Sequence, residues 1–172
     1  SFVHDVLPQL ARAGCSAGAC HAKADGQNGF KLSVFSYDTK ADFQEIVREA
    51  RGRRIFPAAP DESLLLLKPT MAVEHGGGKR LERNSEAYQT IVRWIRGGMP
   101  FQNPGAPTLV RVQVEPREKS YKAGDTGTLR VTAEYNNGTK RDVTALADFL
   151  SNDKEIARVD ERVQFARMIA RL

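Results

Sequence analysis

Cys15-Ser16-Ala17-Gly18-Ala19-Cys20-His21 is the stretch from which the rest of the chain is read. It holds the only two cysteines of the 172 residues, with a histidine directly after the second. Two thiols and an adjacent imidazole serve three chemistries. They can attach a haem through its vinyl groups and ligate its iron, for which the usual signal is C-x-x-C-H. They can close a short disulfide loop and leave His21 idle, the ordinary structural use in an oxidising compartment. They can join His75 around a zinc ion, although neighbouring Cys20 and His21 would then have to face one metal. Haem attachment uses all three residues, provided the widened run between the cysteines is looped out. Its residues are small, and Gly18 allows a backbone bulge that leaves His21 in place.

Outward from the motif, Phe2, Val3, Val6, Leu7 and Leu10 follow helical spacing, with Pro8 disturbing its own turn. Phe43, Ile46 and Val47 predict a second helix over 42–50. A third is predicted over 85–95, capped by Ser85, striped by Tyr88, Ile91, Val92 and Ile95 beside Trp94, and stopped at Gly97 and Gly98. Trp94 and Phe30 read as core residues, either of which could line a pocket. Pro100, Pro104, Gly105 and Pro107 forbid continued helix and mark a linker. Beyond it the period becomes two. Val110, Val112 and Val114 alternate with polar residues, as do Leu129, Val131 and Ala133, and Asn137-Gly138 signals a tight hairpin. Short alternating strands between turns predict a β-sandwich. Val159 to Leu172 contains no glycine or proline, so the sandwich is expected to be incomplete or interrupted near Arg162.

With 41% apolar and 27% charged residues, the chain falls in the ordinary globular range. Its longest apolar run, Leu64 to Leu67, is far too short for a membrane span. The opening Ser1-Phe2-Val3-His4 has no leader pattern, which is also what a processed N-terminus looks like. The net charge of +5 is dispersed, unlike a nucleic-acid footprint. Two basic clusters occur, Arg51/Arg53/Arg54 and Lys79/Arg80/Arg83. Each reads as a solvated face, and the first could instead pair with carboxylates of a haem. Nothing supplies a nucleophile–base pair or paired acids, and Gly76-Gly77-Gly78 lacks the strand-to-helix context of a phosphate loop. An enzyme is not predicted.

Several segments together carry a family resemblance: Ala13-Gly-Cys-Ser-Ala-Gly-Ala-Cys-His, Gly26-Gln-Asn-Gly-Phe-Lys-Leu-Ser, Gly52-Arg-Arg, Ser63-Leu-Leu-Leu-Leu-Lys-Pro and His75-Gly-Gly-Gly. On these, residues 1–105 resemble the planctomycete-type cytochrome c domain. Val112-Gln-Val-Glu-Pro, Tyr135-Asn-Asn-Gly-Thr, Arg141-Asp-Val-Thr and Ser151-Asn-Asp make the remainder similar to a bacterial Ig-like domain of the second group. The resemblance implies two domains: an all-α cytochrome c-like haem domain over 1–105, then an all-β Ig-like sandwich over 106–172, complete or short of its last strands. It implies haem c, with its iron, attached at Cys15 and Cys20 and ligated by His21. It further implies an electron-transfer module of a larger exported protein, periplasmic or extracytoplasmic, serving an unidentified redox partner protein. Nucleic acid and membrane insertion of this chain are not implied. Two alternatives remain open: a haem-based sensor with a labile sixth ligand, and a haem-free interaction module stapled by a disulfide.

The sixth ligand has four candidates. Where relatives of this cytochrome type carry a methionine before prolines, this sequence has Glu74-His75-Gly76-Gly77-Gly78. Glycines there let backbone approach a porphyrin edge, so His75 and bis-histidine iron are expected. Met71, four residues upstream, is the runner-up. Met99 is expected to pack at a helix end, and His4 to lie on the surface.

Overall fold

Pro8 shapes how the chain begins. A five-residue π-helical turn, Phe2–Val6, runs into helix α1, Leu7–Arg12, with Pro8 in its first turn. Because the π-helical turn leads straight into α1, with the Leu7 N–H on the Phe2 carbonyl, Pro8 lacks the N–H that would have continued that bonding. The computed structural model describes residues 1–147, 149, 151–160 and 165–168. The chain divides into two compact units, residues 1–104 and 105–172.

Three further α-helices occur in the first unit: α2, Thr39–Val47; α3, Leu64–Leu67; and α4, Glu86–Arg96. Helix α2 starts at 39 because Asp38 caps it, its carboxylate accepting the Ala41 N–H at 3.0 Å. Ser85 caps α4 by accepting the Tyr88 N–H at 3.2 Å, and Gly97 is its C-cap. The α4 stripe of Tyr88, Ile91, Val92, Trp94 and Ile95 is buried against Phe2, Val6, Leu10, Ile46 and Leu66. Phe2 is the hub of this core. Its ring lies 5.3 Å from Phe43, 5.6 Å from Trp94 and 6.3 Å from Phe101. Its N–H donates to the Pro100 carbonyl at 2.9 Å, and that of Val3 to the Phe101 carbonyl at 3.3 Å.

The second unit contains β1, Leu109–Glu115; β2, Thr126–Thr128; β3, Arg130–Tyr135; β4, Lys140–Asp142; β5, Ala157–Asp160; and β6, Phe165–Met168. They pair antiparallel as two three-stranded sheets, β1-β3-β4 and β2-β6-β5. Val112 faces Ala133 and Val114 faces Val131 in the first. The expected hairpin joins β3 to β4, closed by the Gly138 N–H on the Tyr135 carbonyl and the Tyr135 N–H on the Thr139 carbonyl, both 2.9 Å.

An all-α cytochrome c-like domain followed by an all-β Ig-like sandwich is therefore not what forms. Among the described residues the architecture is mixed: four short α-helices, the longest of 11 residues, and small three-stranded antiparallel sheets. In the first unit, residues 13–38 and 48–63 run mostly as turns and 3₁₀ segments, and Gln27 and Phe30 form an isolated antiparallel bridge. In the second unit, Val110, Val112 and Val114 are 64%, 52% and 41% exposed. Alternation along β1 thus does not bury a face beneath an opposing sheet, which is what a sandwich requires. Val131 and Ala133 of β3 are buried. Arg162, where the sandwich was expected to be interrupted, lies outside the described residues. Among the described residues no helix is long and apolar enough to cross a membrane.

Candidate functional site

Residues 13–22 form a chain of turns rather than a helix. The Cys15 N–H bonds the Leu10 carbonyl at 3.0 Å, which continues the line of α1. Ser16 turns inward, buried and hydrogen-bonded to Ser36, whereas Gly18 and Ala19 are exposed. The His21 N–H returns to the Cys15 carbonyl at 3.1 Å, and the Cys20 and Ala22 N–H groups both reach the Ala17 carbonyl, which closes the widened spacing and sets His21 back beside the first cysteine. Gly18 is not the enabling residue. Its φ is not positive and a Cβ there would meet nothing within 4 Å.

Cys15, Cys20, His21 and His75 all line one cavity of about 350 Å³, within the size range of small-molecule and cofactor sites. Leu10, Leu32, Leu65 and Phe30 supply apolar walls. Arg53, Arg54, Lys68 and Arg80 also line it, and no acidic residue does. Arg53, Lys68 and Arg80 are exposed, whereas Arg54 is buried. The lining suits an apolar body that carries negative groups. Both basic clusters contribute to it, yet nothing in their spacing distinguishes the inward residues from the outward ones.

The two histidines are held alike. His21 Nδ1 lies 3.1 Å from the Phe30 carbonyl and His75 Nδ1 lies 2.8 Å from the Gly78 carbonyl. A carbonyl can only accept, so each Nδ1 donates, and Nε2 is the nitrogen left for another partner. Orientation of a ligating imidazole by a backbone acceptor is a common second partner of metal-binding histidine. Burial holds the His21 pKa below its usual value, opposed by the Phe30 hydrogen bond and reinforced by His75, Arg54 and Lys68. The imidazole is thus neutral at neutral pH, as a metal ligand must be.

The ring planes of His21 and His75 are 13° from parallel, with centroids 6.3 Å apart. Two imidazoles sharing one metal ion need a similar separation, given bonds of about 2 Å and roughly 1.1 Å from each nitrogen to its ring centre. The His75 ring also covers Gly77, where a Cβ would lie 2.9 Å from Cε1 and 3.2 Å from Nε2. At Gly76 a Cβ would meet nothing within 4 Å. We predict that Gly77→Ala displaces the His75 ring and Gly76→Ala does not, read from the His75 ring resonances. Equal perturbation by both would contradict this packing.

Both thiols are free and half-buried. Burial, with the nearby Cys20, pushes the Cys15 thiol up to about 11, against a smaller opposing pull from Arg80, so it stays protonated at neutral pH. Among the described residues no three His, Cys, Asp or Glu side chains gather as donors to a metal ion, so the four-ligand zinc arrangement is not assembled. A porphyrin iron asks less of the protein, since the macrocycle brings four nitrogens of its own. Two imidazoles, two thiols, apolar walls and several cationic side chains fit that group.

The remaining candidates lie elsewhere. Met71 is 47% exposed and does not line the cavity. Met99 packs against the core. His4, half-buried, sits in the first helical turn with its N–H on Ser1 Oγ at 3.4 Å. Trp94 is core, its Nε1–H donating to the Pro100 carbonyl at 3.1 Å. Phe30 lines the cavity and lies 4.4 Å from the His21 ring. No family model, curated protein or solved structure matches the chain.

Proposed function

We propose that residues 1–104 bind c-type haem and transfer electrons one at a time. Cys15 and Cys20 would carry the thioether bonds, and His21 and His75 would ligate the iron. The observation that carries this reading is the pair of near-parallel imidazoles, 6.3 Å apart in one cavity, each with Nδ1 tied to a carbonyl. When bound, the group supplies a ferric–ferrous couple. The protein's own part is to hold two imidazoles, exclude water with leucine and phenylalanine walls, and face negative groups with arginine and lysine. Two histidine ligands would leave the bound iron no open site for a substrate. The module is accordingly a carrier rather than an enzyme. Its partner is another redox protein, and its setting is a larger exported, periplasmic or extracytoplasmic protein.

Production with haem-attachment factors tests this directly. The expected product is red, carries one haem by mass, is low-spin in both oxidation states, and does not bind carbon monoxide when reduced. Carbon monoxide binding would move the assignment to a sensor with a labile sixth ligand. A colourless protein with Cys15 bonded to Cys20 would replace both with the haem-free module.

A further inference from the structure

Both terminal nitrogens of the buried Arg54 guanidinium are held by the protein itself. Its Nη1 donates to the Glu45 carbonyl at 2.5 Å, and its Nη2 donates to the Gly29 carbonyl at 2.7 Å and pairs with Glu45 Oε2 at 3.6 Å. Its carbon lies 4.5 Å from the centroid of the Phe30 ring, a cation–π contact. These contacts converge on the Gln27–Phe30 turn, where the Gln27 N–H donates to the Phe30 carbonyl and the Phe30 N–H donates to the Gln27 carbonyl, both at 2.9 Å. The same Phe30 carbonyl accepts from His21 Nδ1, and the Phe30 ring packs on the imidazole. Arg54 therefore fastens helix α2 to the turn that aims His21.

We propose that Arg54 is a positioning residue for His21 and, with Glu45, sets the reduction potential of the bound group. The inference rests on the haem reading above and goes beyond it. Reduction adds an electron to the iron, so a fixed positive charge nearby favours the ferrous form and a fixed negative charge the ferric form. Glu45 Oε2 is buried and makes no hydrogen bond, and Arg54 is the cation it pairs with among the described residues. The pair acts as two opposed dials. Arg53, Lys68 and Arg80, exposed along the cavity, remain the partners for negative groups at the ligand's edge.

Redox titration of the haem-loaded protein, followed by visible absorption, separates the two charges. R54Q is expected to shift the ferric–ferrous equilibrium about tenfold toward ferric, or about 59 mV downward for one electron. E45Q is expected to shift it upward. The low-spin ferric resonance spectrum, which reports the relative orientation of the two imidazoles, should change in R54Q and stay as wild type in E45Q. A purely structural role would not produce shifts of opposite sign. Potentials unchanged, or displaced in the same direction by both variants, would overturn the proposal. If R54Q does not retain haem, E45Q alone decides, since a potential that fails to rise overturns it. A colourless wild-type protein is a different failure, because it removes the haem reading before any variant is compared.

Discussion

His75→Ala should convert the oxidised, haem-loaded protein from low-spin to high-spin, and the reduced form should then bind carbon monoxide. The loss is expected to be complete because the described residues offer no substitute on that side of the cavity. Met71 is solvent-exposed, Met99 is packed against the core, and His4 belongs to the first helical turn. Met71→Ala is therefore expected to leave the spectrum unchanged. Removing an imidazole also removes a ligand that favours the ferric state, so the potential should rise. A His75→Ala protein that stays low-spin and refuses carbon monoxide would mean that another side chain closes the coordination sphere.

The largest effect on stability is expected at Phe2. Its side chain is fully buried and touches three other aromatic rings, one from α2, one from α4 and one from the segment after α4. Truncating a buried phenylalanine to alanine costs about 3–5 kcal/mol, transfer and cavity terms together. That is a large share of the roughly 5–15 kcal/mol by which a domain is stable. Phe2→Ala should lower the urea midpoint of the first unit steeply, or leave it unfolded. Tyr37, 92% exposed, is the control, and its alanine variant should stay within about 0.5 kcal/mol of wild type. A Phe2→Ala loss below about 1 kcal/mol would mean that the aromatic cluster does not hold the unit together.

Local features with one dominant physical cause were legible from residue order. Ser85 and Gly97 bracket α4, and Asn137-Gly138 forms the hairpin, because a cap or a tight turn depends on its own few residues. Features that depend on what covers a surface were not. The valines of β1 alternate as a half-buried strand does, but alternation says nothing about whether a second layer exists, and these are exposed. Helix α2 starts earlier than its apolar spacing suggests because Asp38 supplies the cap, a signal that was present but masked by reading the stripe alone. At the site, Cys15, Cys20 and His21 are local, whereas His75 joins them only through the tertiary fold. Arg53 and Arg54 show the limit well. They are neighbours in one basic cluster, yet one is solvent-facing and the other is the buried clamp of the His21 turn. Only packing distinguishes them.

The pairing of Phe2 and Val3 with Pro100 and Phe101 bears on how the unit would respond to tension. Pull applied along the chain enters near residue 2 and leaves near residue 101, so the two backbone bonds between them take the load first. Cys15, His21 and His75 all lie in the stretch of chain that those two bonds bracket. Tension would have to break them before it reached the chain carrying either imidazole, so the cavity is shielded from a pull by the same bonds that seat the first helical turn.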